Sequence, residues 1–135
     1  MQTMTLHGLR MLVIEDVADI RDVLVILARM EGAHVVPADC GRDGLEMVKN
    51  AQFQVILCDL GLPDVAGDTL ISEIRSSTGG RDALVVVITG YAEPYVSRAR
   101  HAGADAIFTK PIDWTEVVEY VRQSVRVRQS LPLAA

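Results

Sequence analysis

Aromatic side chains are scarce, at 4% of 135 residues, so the core cannot rest on stacked rings. Burial has to come from Val, Ile, Leu, Ala and Met instead. There are two cysteines, Cys40 and Cys58, too few for a disulfide framework, and Cys58 lies inside an apolar run. Both are expected as free thiols, which fits a reducing, cytoplasmic setting. No apolar stretch approaches the ~20 residues that cross a bilayer. Met1 to Arg10 lacks the apolar segment of a signal peptide. A cytoplasmic protein with no membrane attachment is therefore expected. Positive charge is in deficit, with 13 Lys and Arg against 18 Asp and Glu, a net charge of −5. That balance excludes broad nucleic-acid binding by charge. Internal repeats and low-complexity runs are also missing, and the length suits a single domain.

Short apolar runs alternate with helical periods. The runs are Met11-Leu12-Val13-Ile14, Ala33-His34-Val35-Val36, Val55-Ile56-Leu57-Cys58, Leu84-Val85-Val86-Val87-Ile88 and Ala106-Ile107-Phe108. They are rich in β-branched residues and nearly continuous, as strands covered on both faces are. Between them, apolar residues recur every three or four positions. The first helix is expected to turn Val17, Ile20, Leu24, Leu27 and Met30 inward and to end at Gly32. The second runs from about Arg42 to Lys49, with Leu45 and Val48 inward, and the third from about Asp68 to Ser76, with Leu70, Ile71 and Ile74 inward. The fourth starts near Pro94 and stops at Gly103. The last opens with Asp113 as cap and Glu116 three residues on, and buries Trp114, Val117, Val118, Val121 and Val125. The fourth has few apolar residues, so it is cheap to shift.

Five strand–helix pairs argue for an α/β fold, a doubly wound parallel sheet with helices on both faces. One such order is 2-1-3-4-5, with its site at the carboxyl ends of strands 1 and 3. A domain over residues 9–128 is expected, with tails at 1–8 and 129–135 and no effector domain after it.

In a parallel sheet the carboxyl ends share one edge. Glu15 and Asp16, Asp59, Thr89 and Gly90, and Thr109, Lys110 and Pro111 all fall there. Adjacent carboxylates repel unless positive charge sits among them. Lys110 supplies one charge, and a divalent cation supplies more. Oxygen donors suit Mg²⁺, with Mn²⁺ as a substitute, rather than zinc. Asp16 and Asp59 are placed as direct ligands, the Gly61 backbone carbonyl as a third, and Glu15 through water. A carboxylate beside such a cation and a lysine can attack a phosphoryl group. Lys110 and Thr89 would then meet the phosphoryl oxygens, and Gly90 leaves the approach open.

Glu15-Asp16, the run Asp59-Leu60-Gly61-Leu62-Pro63 followed by Gly67, Thr89-Gly90, and Phe108-Thr109-Lys110-Pro111 resemble the receiver domain of two-component response regulators. The resemblance covers about residues 9–128. It implies a CheY-like fold, which shares the flavodoxin-like topology. It implies that Asp59 accepts a phosphoryl group from a phosphohistidine of a sensor histidine kinase or phosphotransfer protein. Glu15, Asp16, Asp59 and the Gly61 carbonyl would hold Mg²⁺, and the Lys110–Pro111 bond would be cis. Thr89 would move toward the phosphoryl group while Phe108 swings inward. The fourth helix, fifth strand and fifth helix would then present a changed face to a downstream protein partner or to a second copy. The domain would catalyse only its own phosphorylation and dephosphorylation and is otherwise no enzyme. Phe108 stands where Tyr is frequent, Gly90 where Ala is, and Ala66 where an acid is. Tyr91 is placed to shield the site from water, which predicts a long-lived phosphoryl state. The runs around Asp59 and Thr89 also resemble receivers of hybrid sensor kinases.

Taken singly, each residue has a plain alternative. Acids are favoured at a helix N-terminus, Thr89 suits a strand, and Lys110 suits a loop. Their coincidence on one edge argues against those readings. His7, His34 and His101 form no ligand pair, so zinc is unsupported. The Arg122, Arg126 and Arg128 stripe reads as a solvated face. An aspartyl-nucleophile phosphatase resembling the haloacid-dehalogenase type would need a second Asp where Gly61 stands. A receiver-like protein-binding module that ignores phosphate is the remaining alternative.

Overall fold

The computed structural model describes residues 5–130, with side chains as far as residue 126. Strands β1 (Arg10–Ile14), β2 (His34–Ala38), β3 (Val55–Cys58), β4 (Leu84–Thr89) and β5 (Ala106–Thr109) form one sheet in the order β2-β1-β3-β4-β5. All four pairings are parallel. Between and after the strands run α1 (Ala18–Met30), α2 (Gly41–Asn50), α3 (Gly67–Ser76), α4 (Tyr95–Ala102) and α5 (Trp114–Ser130). The doubly wound architecture expected from the alternation is the one observed.

Side chains alternate across a strand, so each strand feeds two cores. Met11, Val13, Val55, Leu57, Leu84 and Val86 pack with Leu24, Val25 and Ala28 of α1 and Val117, Val118 and Val121 of α5. Leu12, Ile14, Ile56, Cys58, Val85 and Val87 pack with Val48 of α2, Leu70, Ile71 and Ile74 of α3 and Ala99 of α4. Both faces of the central strands are thus covered, which explains their near-continuous apolar sequences.

Three local readings are corrected. The inward face of α1 is Leu24, Val25 and Ala28, with Ile20 packed alongside, whereas Val17 and Met30 are exposed. Ile20, Leu24 and Ala28 follow a four-residue line. Val17 lies before the first turn at the N-cap, and Met30, 70% exposed, ends the helix. β2 runs on through Pro37, which an edge strand tolerates because its outer side needs no donor. Leu6, placed in a tail by the sequence, is 1% exposed, and its N–H donates to the Glu31 carbonyl at 2.8 Å. Residues 1–4 of that tail and residues 131–135 lie outside the described residues, as does the Arg128 side chain. Arg122 pairs with Glu119 on its own helix.

Glycine permits close approaches at the base of the fold. A Cβ on Gly79 would stand 1.7 Å from the Ala51 carbonyl oxygen, where the loop before β4 crosses the end of α2. A Cβ on Gly44 would stand 2.5 Å from Ile14, so α2 lies close on β1. Arg75 of α3 then ties the far side together. Its guanidinium donates to the carbonyls of Ala83 at 2.6 Å and Gly103 at 2.7 Å and to Asp105 at 2.7 Å.

Candidate functional site at the carboxyl edge of the sheet

The edge is assembled by the strand ladders. The Glu15 N–H donates to the Ala38 carbonyl of β2, and the Asp59 N–H to the Ile14 carbonyl of β1. The Lys110 N–H donates to the Thr89 carbonyl at 2.8 Å, which extends the β4–β5 ladder by one residue. Glu15, Asp59, Thr89 and Lys110, from four strand ends, are thereby fixed along one edge. The Lys110–Pro111 peptide bond is cis, and so is Glu93–Pro94, which the sequence did not announce.

The side chains converge. Lys110 Nζ lies 2.9 Å from Asp59 Oδ2 and 3.2 Å from Glu15 Oε1. Glu15, Asp16 and Asp59 each offer a carboxylate oxygen, and these oxygens lie within 4.8 Å of one another. The Asp16 N–H donates to Glu15 Oε2 at 3.1 Å, and the Gly61 N–H donates to Asp59 Oδ1 at 3.1 Å. Asp16 is exposed, Asp59 is part-buried and Glu15 is 2% exposed, so the cluster opens outward from a buried base.

Its electrostatics follow from burial. Burial first, and the Asp59 charge second, push Glu15 up to about 6, with Lys110 opposing the rise. Burial pulls the Lys110 ammonium down, but its hydrogen bond and charge contact with Asp59, then those with Glu15, carry the net shift upward. Burial, with a smaller push from Asp59, drives the Cys58 thiol up to about 12, so it is an inert core group. The donor set is all oxygen, anionic and clustered, which fits a hard divalent cation such as Mg²⁺. Lys110 alone leaves the three carboxylates with excess negative charge.

Thr89 is buried, and its Oγ1 accepts the Tyr91 N–H at 3.0 Å. Tyr91 is itself exposed, yet its hydroxyl end lies over Gly61, 3.3 Å from where a Cβ would stand. Phe108 is half-buried and meets the Tyr120 ring edge-on, with centroids 5.8 Å apart.

Sequence reasoning missed two contributors. Arg21, in the first turn of α1, donates to the Glu15 carbonyl at 2.9 Å and so braces the acidic pair. Asp64 accepts the first amides of α2. Both bond to backbone atoms of other segments, which no spacing rule reports. The one available sign was Cys40, a poor cap, at the start of α2.

Comparison with known proteins agrees with this geometry. A family model, the response regulator receiver domain, matches residues 11–122. A probable transcriptional regulatory protein of Picosynechococcus is 34% identical over 127 residues, which cover 89% of this chain and 50% of that protein. The chain thus spans half the length of that relative. Among solved structures, a CheY-like receiver domain protein from Methanospirillum hungatei superposes with a TM-score of 0.83 at 26% identity, covering 89% of this chain and 95% of that one. The response regulator TrrA of Thermotoga maritima, solved with Mg²⁺ and BeF, gives a TM-score of 0.75 at 25% identity, covering 84% of this chain and 96% of that one. A family match across nearly the whole described chain, on a sheet of the same order, leaves one conclusion: this chain belongs to the response regulator receiver domain family of two-component signalling.

Proposed function

We propose that the domain takes a phosphoryl group onto Asp59 from the phosphohistidine of a sensor histidine kinase or phosphotransfer protein. The observation that carries this is the Lys110 bridge, with Nζ on both Asp59 and the buried Glu15. It leaves Asp59 Oδ1 to be satisfied by a backbone N–H and by whatever approaches from solvent. An Asp59 oxygen attacks phosphorus, the phosphorus–nitrogen bond of the donor breaks, and the electron pair returns to its imidazole. Lys110 then bonds a phosphoryl oxygen in place of the carboxylate it holds now. Asp16, Asp59 and the Gly61 carbonyl, with Glu15 through water, would hold Mg²⁺, or Mn²⁺ in its place, which would supply the remaining charge neutralisation.

Thr89 exchanges its bond from the Tyr91 N–H for one to the phosphoryl group. Phe108 moves into the space left behind. A shifted face of α4, β5 and α5 then meets a downstream protein or a second copy. Val23, Ile26 and Met30 form an exposed apolar strip on α1, whose first turn follows Asp16, and this strip suits a docking phosphodonor. The cytoplasm is the expected location.

Beryllofluoride, a phosphoryl mimic, tests the site directly. With Mg²⁺ it should bind and raise the melting temperature, and chelator or Asp59→Asn should abolish the effect. No binding by the unaltered chain would favour the phosphate-independent module. The Tyr91 position over Gly61 also implies slow hydrolysis. The phosphoryl half-life should exceed about a minute, a barrier above about 20 kcal/mol. Tyr91→Ala should shorten it, and equal lifetimes would remove Tyr91 from the account.

A further inference from the structure

α2 begins without a cap of its own, because the Cys40 side chain at its N-cap bonds none of the helix amides. The cap arrives from another loop. The Asp64 carboxylate accepts the Gly41 N–H at 3.0 Å and the Arg42 N–H at 2.9 Å, across 23 and 22 residues of chain. The two segments also touch. A Cβ on Gly41 would stand 2.8 Å from a Val65 methyl, so glycine permits the approach. The Arg42 amide, then that of Gly41, hold the Asp64 carboxyl below its ordinary value, as an ionised cap requires.

Asp64 belongs to the loop between β3 and α3 that carries Gly61. The near end of this loop is held by the Gly61 N–H on Asp59 Oδ1 and by burial of Leu60 and Leu62. The far end enters α3 through Ala66, which has no side-chain cap to offer. Between them, Asp64 is a polar tether to a separate element.

We propose that Asp64 is a positioning residue for the cation site. By clamping the loop to the start of α2, it holds the Gly61 carbonyl where a divalent cation can use it. The inference rests on the Mg²⁺-dependent reading above. Groups that orient a ligand without touching the metal commonly change affinity by about 10- to 100-fold. Asp64 acts through backbone, so the lower end is expected.

Calorimetric titration with MgCl₂, beside melting curves taken without Mg²⁺, separates positioning from simple capping. The proteins are the unaltered chain, Asp64→Ala, and Asp64→Ala combined with Cys40→Ser. Serine can cap α2 from its own N-cap, whose backbone is already extended, but it cannot replace the tether. Asp64→Ala should melt about 4 °C lower and bind Mg²⁺ about tenfold more weakly. The double variant should regain the melting temperature and not the affinity. With acetyl phosphate as donor, the half-saturating Mg²⁺ concentration should rise while the maximal rate holds. If Asp64→Ala binds Mg²⁺ like the unaltered chain, or if affinity returns with stability in the double variant, Asp64 is a helix cap only and the proposal falls. If the unaltered chain binds no Mg²⁺, the functional reading falls with it.

Discussion

A carboxylate as enclosed as Glu15 stays ionised only where cations surround it. Lys110 gives it one, at 3.2 Å, and shares that charge with Asp59 at 2.9 Å. The outcome is a Glu15 pushed up to about 6 from an ordinary value of 4.5. The folded chain therefore holds this proton more tightly than the unfolded chain does. Stability owed to the protonated group is full below pH 4.5 and declines as pH rises through about 6. Cation binding runs the other way, because it needs the ionised form. Mg²⁺ affinity should fall by up to about tenfold per pH unit below about pH 6, with a proton displaced on binding. Titrations between about pH 5 and 8 measure this, and a flat profile would contradict it. At this scale the sequence was legible where residue type and strand end coincide, as at Glu15, Asp16, Asp59, Thr89 and Lys110. It was opaque at Arg21 and Asp64, whose partners are backbone atoms outside their own elements, six residues away for Arg21 and more than twenty for Asp64.

Among the elements, α4 is the weakly held one. Ala99 is its buried residue, Tyr95 is exposed, and Tyr91 and Tyr95 contact each other rather than the core. Its two ends differ. At the C-terminal end, Arg75 binds the Gly103 carbonyl and Asp105 together, and a Cβ on Gly103 would stand 2.9 Å from the Arg75 side chain. The N-terminal end follows the Thr89–Tyr91 turn, where the switch begins. Amides near residues 95–98 should exchange faster than those of α1 and should respond to beryllofluoride, while those near Gly103 stay protected. Equal protection of α4 and α1, with and without the mimic, would count against a switch in α4. The weakness of α4 could be read from its sequence, since Ser97, Arg98, Arg100 and His101 leave little to bury. Its anchorage could not, because Arg75 resembles any helix-ending arginine until its acceptors are known. The α1 face was misread for a related reason. Val17 and Met30 fit the period but lie at the helix limits, beyond the sheet that sets the buried line.

For the whole molecule, alternation of apolar runs with helical periods was enough to give a parallel sheet with two covered faces. The strand order was not contained in that pattern. Right-handed crossovers allow several orders, and resemblance selected 2-1-3-4-5, which the sheet has. That order matters for function, since it sets β1 and β3 side by side and so places Glu15 and Asp16 against Asp59. Lys110 arrives from the far edge strand because its long stem spans the gap over β4. The sheet order thus gathers Glu15, Asp16, Asp59 and Lys110 at one edge, and the central claim is that Asp59 there accepts a phosphoryl group. Intact mass after incubation with Mg²⁺ and acetyl phosphate tests this most directly. One added phosphoryl group on the unaltered chain, absent from Asp59→Asn and blocked by chelator, is the predicted result. A phosphoryl group that still appears on Asp59→Asn would contradict it.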